Sequence, residues 1–347
     1  MYSRALTRDI PTLFGNYTPT LSDLYLFGIA LDWKSNEGLF STLKTLFIMD
    51  DDPDVFDEIE CRELIAHCRS LETLQWSCER SDTTVHFSDI VAAEHLTKIM
   101  LHDLTVHFQP HLLRLSSKIA VLDLSCQFKV HGSLDVLFDI IDELQDLHQL
   151  TFNCDYLDVK EPLGAVHKRA GLLKLTYLRV GLEHGEFPSA LFHLLSSFTL
   201  LKLETLDISR SLYHGGAGWT ELTSQYELSH LPSLVSLETT CDVVAEVLVG
   251  IMRRSPSLHI LDLQYRGFRH FGELLAVLGD PVDGDIICPN LSKIICPYCH
   301  PGYQEYVEMM SKRNTWANEG RCKELRGGTI ISFPLEISGL AGNIPRM

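Results

Sequence analysis

The sequence predicts an α/β solenoid bent into a horseshoe, with a parallel sheet on the concave face, helices on the convex face and about eleven stacked units. Three observations predict it. The phrase L-x-x-L-x-L recurs, as in Leu203, Leu206 and Ile208, or Leu258, Leu261 and Leu263. Its first residue falls at Leu21, Leu43, Leu71, Leu96, Ile119, Leu147, Leu175, Leu203, Leu234, Leu258 and Leu291, so ten intervals cover 291 − 21 = 270 residues and average 27. Within each phrase the last two apolar positions alternate, as in Leu206-Asp207-Ile208, the period of a strand buried on one face.

The segments between phrases carry the other period. Leu134, Leu137, Phe138, Ile141 and Leu144 recur at three or four residues, as do Leu191, Leu194 and Leu195, and Val244, Val247, Leu248 and Ile251. Strand, helix and strand in the same sense give a parallel sheet lined by helices, and no unit can bury its apolar face without a neighbour. Short units such as 21–41 have room only for a loop or a tight turn. Pro256, Pro232 and Pro289 stand just before phrases, where proline stops a helix and sets up the turn. Tyr213–Trp219 and Gly279–Asp285 lengthen two units as turn-rich loops. The repeats span residues 18–330, after a lead-in over 1–17 and before a tail over 331–347, with a degenerate twelfth unit at Cys322–Ile330.

Composition narrows the function. The 347 residues are 45% apolar and carry a net charge of −17. A nucleic-acid binder needs a basic footprint, and an acidic chain without a basic block argues against nucleic acid and anionic lipid as partners. The N-terminus has no signal-peptide pattern, no segment has the length to span a bilayer, and the ten cysteines are scattered. These features point to a reducing compartment, cytosol or nucleus. Cys78, Cys126, Cys154 and Cys241 each lie seven residues after the start of their phrase, on the inward face, and are expected in the core.

A mean spacing of 27 lies at the long end of the 20–29 residues of leucine-rich repeats. The stretch from Leu13 to Leu46 resembles the opening repeats of the fungal F-box/leucine-rich-repeat family, with repeats of the ribonuclease-inhibitor type. Pro19, Leu21, Leu24, Leu26, Trp33, Leu39, Phe40, Leu43 and Leu46 carry the resemblance. It implies a subunit that selects ubiquitination substrates for a cullin-based ligase. In that family an N-terminal F-box docks to the ligase. Only 20 residues precede the first phrase, with no L-P-x-E opening and no apolar helical pattern of F-box length. The expectation is therefore substrate recognition, with contact to the ligase core only through an F-box outside this chain. A stand-alone scaffold or adaptor is the alternative.

Other motifs have plainer readings. Cys296-Pro-Tyr-Cys299 resembles the active site of glutaredoxins, which makes a thiol-redox protein the distant alternative; outside a thioredoxin-like βαβ context a C-x-x-C counts for little. Cys288, Cys296, Cys299, His300 and Cys322 offer one close pair where structural zinc usually takes two, so free thiols at a repeat edge are expected. Asp50–Asp54 with Asp57, Glu58 and Glu60 lacks the alternation of a calcium loop and suits a helix start. His102, His107 and His111 form no metalloprotease motif, and Gly215, Gly216 and Gly218 form no phosphate loop. No enzyme activity, metal or cofactor is expected.

What remains is the outward face of the strands. Tyr25, Phe47, Asp123, Tyr177, Arg179, Asp207, Glu238 and Asp262 are the candidate partner-binding residues, with Thr45, Gln75, Lys98, Met100, Gln149, Lys293 and Ile295 among their neighbours. Exposed Tyr, Phe and Arg are the types that make hot spots for protein partners. Asp123 and Asp207 are expected to flank and hold Arg179.

Overall fold

Each recurring phrase becomes a strand, and the strands stack. In the computed structural model the described residues are 20–27, 40–50, 58–78, 84–91, 93–108, 118–130, 134–159, 167–169, 172–182, 187–209, 228–241, 243–264, 270–281, 285–296 and 303–326. Twelve strands form one all-parallel sheet: β1 (Asp23–Phe27), β2 (Thr45–Asp50), β3 (Thr73–Cys78), β4 (Thr84–His86), β5 (Lys98–Phe108), β6 (Val121–Val130), β7 (Gln149–Val159), β8 (Tyr177–Leu182), β9 (Thr205–Ser209), β10 (Ser236–Thr239), β11 (Ile260–Leu263) and β12 (Lys293–Ile295). They lie side by side in chain order, except that β4 pairs with β5 off the main path. The helices are α1 (Glu58–His67), α2 (Phe87–Val91), α3 (Leu134–Asp142), α4 (Phe187–Ser197), α5 (Ala245–Arg253), α6 (Phe271–Gly279) and α7 (Tyr303–Asn318).

The core is the set of phrase residues. The first residue of every phrase from Leu43 to Leu291 is fully buried, and the second is buried from Leu46 to Ile294. Leu21 and Leu24, in the first unit, are only partly buried against the core. The third position is buried from Leu26 through Leu263, and where it is Thr239 the hydroxyl donates to the Cys241 carbonyl at 3.1 Å. The inward residues of α3, α4 and α5 close the core from the convex side, among them Leu137, Ile141, Leu194, Leu195, Val247 and Leu248.

A carbonyl ladder fixes the register. Before each strand, one backbone carbonyl accepts the N–H groups of two successive residues in the next unit. The His148 carbonyl takes Thr176 and Tyr177 at 2.9 and 3.1 Å, and the Thr176 carbonyl takes Glu204 and Thr205 at 2.8 and 3.0 Å. The pattern runs from Ser22 to His259, and the Ser292 carbonyl takes Arg326, so a twelfth turn has begun where Leu325 is buried. Turn polar groups that would otherwise face the core edge unpaired are thereby satisfied.

The structure departs from the phrase alone in its middle. β5, β6 and β7 run for 11, 10 and 11 residues, beyond the five or so residues of the phrase. In β6 every second residue from Leu122 to Val130 is buried. In β5 a register shift between His102 and Thr105 coincides with Asp103 at φ 58°, an exposed residue in the left-handed region. That bulge shifts the alternation by one and brings Leu104, Val106 and Phe108 inward. Phe108, Phe128 and Phe152 then meet across three strands, the first pair edge to face and the second tilted, with ring centroids 5.5 and 4.7 Å apart.

Cys78, Cys126 and Cys241 are buried, as their register requires, and the Cys126 thiol donates to the Leu101 carbonyl at 2.9 Å. The Cys154 side chain, the Tyr213–Trp219 loop, residues 282–284 of the Gly279–Asp285 loop, Pro19, Trp33, Leu39, the lead-in over 1–17 and the tail over 331–347 lie outside the described residues.

The convex side carries a buried polar clamp. His193 on α4 is fully buried, places Nε2 3.1 Å from Asp135 Oδ1 on α3, and stacks on Phe138. The guanidinium of Arg169 donates from Nη2 to the same Asp135 oxygen at 3.1 Å and to Asp139 at 2.9 Å. Burial holds the His193 pKa below the usual histidine value, against the pull of Asp135. The unfolded chain titrates this ring near pH ~6.5. Between the depressed folded value and ~6.5 the unfolded state binds more protons, so the clamp's contribution is complete above that window and is lost as pH falls through it. His102 works in the opposite sense: Asp123 raises its pKa, so its contribution is present below ~6.5 and is lost as pH rises through the raised value. The stability difference between wild type and His193→Gln should therefore shrink from about pH 7.5 to about pH 5.5. Urea denaturation at the two pH values checks it, and a difference independent of pH would refute it.

Candidate functional site: the concave sheet face

Parallel pairing without offset places one residue of each unit in a continuous row. The central row reads Tyr25, Phe47, Gln75, Met100, Asp123, Thr151, Arg179, Asp207, Glu238, Asp262 and Ile295. Seven of the eight sequence-predicted residues lie in it. The eighth, Tyr177, lies in the adjoining row between Gln149 and Thr205. Their outward direction follows from alternation, because Leu178 and Val180 on either side of Arg179 are buried.

Arg179 sits at the centre of a built contact. Its Nε lies 3.2 Å from Asp207 Oδ2 and donates to Ser209 Oγ at 3.3 Å. Gly181, two residues on, makes room for the neighbours: a Cβ there would lie 2.2 Å from Asn153 Oδ1 and 2.8 Å from Ser209 Oγ. A side chain at 181 would displace the hydroxyl that orients the guanidinium. Asp123 does not take part in holding Arg179, contrary to the expectation from sequence. Thr151 on β7 separates the two in the row, and Asp123 instead accepts from Ser125 Oγ at 3.2 Å and pairs with His102 Nε2 at 3.6 Å. The reason is register: two strand spacings, roughly 10 Å, lie between Asp123 and Arg179.

The two ends of the row differ in chemistry. At the β1 end Tyr25 and Phe27 are 59% and 58% exposed, and their rings lie 5.7 and 5.4 Å from that of Phe47. Towards the other end Asp207, Glu238 and Asp262 occupy three consecutive strands. Burial raises the pKa of Asp207; Arg179 opposes the rise, and Glu238 and Asp262 add to it. Ser236 Oγ donates to Glu238 at 3.1 Å and Gln264 Nε2 to Asp262 at 3.0 Å. The hydroxyl pKa of Tyr177 is raised, first by burial and then by Asp207. Individually these residues were legible as outward-facing; the polarity of the row needed the register.

Cys288 and Cys296 are built into the core. Cys296 is the third residue of the phrase that begins at Leu291, the place held by Ile208 or Leu263 elsewhere; it is 1% exposed and disulfide-bonded rather than a free thiol, with its partner outside the described residues. That phrase position, readable in the sequence, is the signal that Cys296 is first a core residue. Cys288 donates to the Met252 carbonyl at 3.3 Å, and burial pushes its thiol up to about 12. Cys322 donates to the Arg313 carbonyl at 3.4 Å. Cys299, His300, His111, residues 51–57 and the glycines at 215, 216 and 218 lie outside the described residues. His107 packs edge-on against His86 with centroids 5.1 Å apart. Among the described residues no group of three metal-ligating side chains is placed to hold an ion, and no helix is long and apolar enough to cross a membrane.

Stacked L-x-x-L-x-L strands, an all-parallel sheet in chain order and a carbonyl ladder through the turns define an α/β leucine-rich-repeat solenoid. Neither a protein-family model nor a curated protein sequence matches the chain. Among solved structures, an LRR protein of Leptospira interrogans is similar over 84% of this chain and 80% of its own, at 15% identity and a TM-score of 0.34.

Proposed function

We propose that this protein is a recognition module rather than an enzyme, and that its concave face receives a protein partner. The observation that carries the reading is the unbroken central row, in which a solvent-facing guanidinium is fixed by Asp207 and Ser209 beside Tyr177. An aromatic and a guanidinium already held in place lose little entropy on binding. The acidic chain, with a net charge of −17, speaks for a protein rather than a nucleic acid or an anionic membrane. The finer proposal is a substrate-selecting subunit of a cullin-based ubiquitin ligase of the cytosol or nucleus. It rests on the resemblance of residues 13–46 to the F-box/leucine-rich-repeat family.

A photo-crosslinking amino acid placed at Thr151 on the concave row should trap a partner in extracts of the native cell; one placed at the exposed Ala66 on α1 should not. Trapping at 66 alone would move the receptor to the convex side. Against the purified partner, joint replacement of Tyr177 and Arg179 by Ala should cost ~2 kcal/mol, about 30-fold in affinity. Equal affinities in a titration would remove this pair from the interface. For the ligase reading, depletion of the protein should lengthen the partner's cellular lifetime; an unchanged lifetime favours a stand-alone scaffold.

A further inference from the structure

We infer that the partner segment received by the concave face is extended and two-ended, with apolar or aromatic side chains lying over β1–β2 and a cluster of Lys or Arg lying over β9–β11. This rests on the concave-face reading above and adds the chemistry of what binds there.

The acidic end carries the first half of the argument. Asp207, Glu238 and Asp262 follow one another across adjacent strands, with Arg179 the only cation ion-paired to them among the described residues. Asp207 is 6% exposed and uses Oδ2 for Arg179, while its Oδ1, like Asp262 Oδ1, is buried and accepts no hydrogen bond among the described residues. Lys293, exposed at the end of the neighbouring row, makes no ion pair with these carboxylates. Three carboxylates against one guanidinium leave an excess of two negative charges on a partly desolvated sheet. Charge of this kind favours a cationic partner and raises its rate of encounter.

The aromatic end carries the second half. Tyr25 and Phe27 leave more than half their surface in water, and Phe47 and Met49 border them on β2. A cationic segment alone would leave this patch uncovered; an apolar one alone would leave the carboxylates uncompensated. The spacing sets the length. Seven strand spacings separate Tyr25 from Asp207, at most about 34 Å, a span that roughly ten extended residues cross.

The test uses a displayed library of random dodecapeptides selected on the full-length protein, with counter-selection on the Glu238→Gln/Asp262→Asn variant. Enriched peptides should carry two or more Lys or Arg at one end and aromatic or aliphatic residues at the other. A synthetic peptide from the selection should bind at least tenfold more weakly to the counter-selection variant, and at least tenfold more weakly to Tyr25→Ser/Phe27→Ser. Added salt should weaken its binding to wild type. Replacing the peptide's basic residues with norleucine should reproduce the first loss without any change in the protein. The inference is overturned by no enrichment, by enrichment of acidic or uncharged peptides, or by winners that bind both variants as tightly as wild type. If crosslinking from position 151 persists while the library result is negative, the face stands and only the partner chemistry falls.

Discussion

Replacing Leu206 with Ala should cost ~2–5 kcal/mol of unfolding free energy, and Leu261→Ala should cost a similar amount. Both side chains are fully buried. Leu206 lies in register between Leu178 and Leu237, and Leu261 between Leu237 and Ile294, so each contributes to two inter-repeat interfaces at once. A solenoid has no contacts between distant units to absorb such a loss, because each repeat touches only its neighbours. A hole near the middle, at Leu206, should also weaken coupling between the two halves and broaden the urea transition. Losses below ~0.5 kcal/mol at both sites, the usual range for surface positions, would mean that the register is wrong.

Arg313→Ala should be as damaging at the other end of the molecule. Arg313 on α7 is fully buried, with no carboxylate partner among the described residues. Its Nη1 donates to the carbonyls of Leu278 and Ile287 at 3.4 and 3.0 Å, and its Nη2 donates to that of Cys288 at 2.8 Å. Burial pulls its pKa down, but the three carbonyls hold the guanidinium where a single ammonium would reach fewer of them. Truncation strands three buried acceptors and leaves a cavity, an expected loss of at least ~3 kcal/mol. The lesion should be local at first: amide hydrogen exchange in α7 and across 285–291 should speed up while β5–β7 keep their protection. Arg313→Lys should recover only part of the loss. An Arg313→Ala protein within ~0.5 kcal/mol of wild type, with α7 still protected, would show that the clip contributes nothing.

Much of this molecule follows from the sequence alone. The phrase, its mean spacing of 27 and the helical period between phrases determine an α/β repeat with a parallel sheet, because a period of two buries one strand face and no single repeat can cover that face. They also determine that Leu178 and Val180 point inward and Arg179 outward. Alternation beyond the phrase in Gln127–Val130 was there to be read as a longer strand, although the extra residue at Asp103 hid the continuation in β5. Only the tertiary structure decided which outward residues meet. Asp123 and Asp207 look equivalent in sequence, yet pairing in register puts Asp207 beside Arg179 and leaves Asp123 to His102 two strands away. The space that Gly181 leaves for Asn153 and Ser209, the clip made by Arg313 and the run of three carboxylates all depend on neighbours in other units, about 24 residues away or more. A local pattern fixes the face on which a side chain lies; strand pairing fixes its neighbour, and the neighbour sets its charge, its burial and what it can bind.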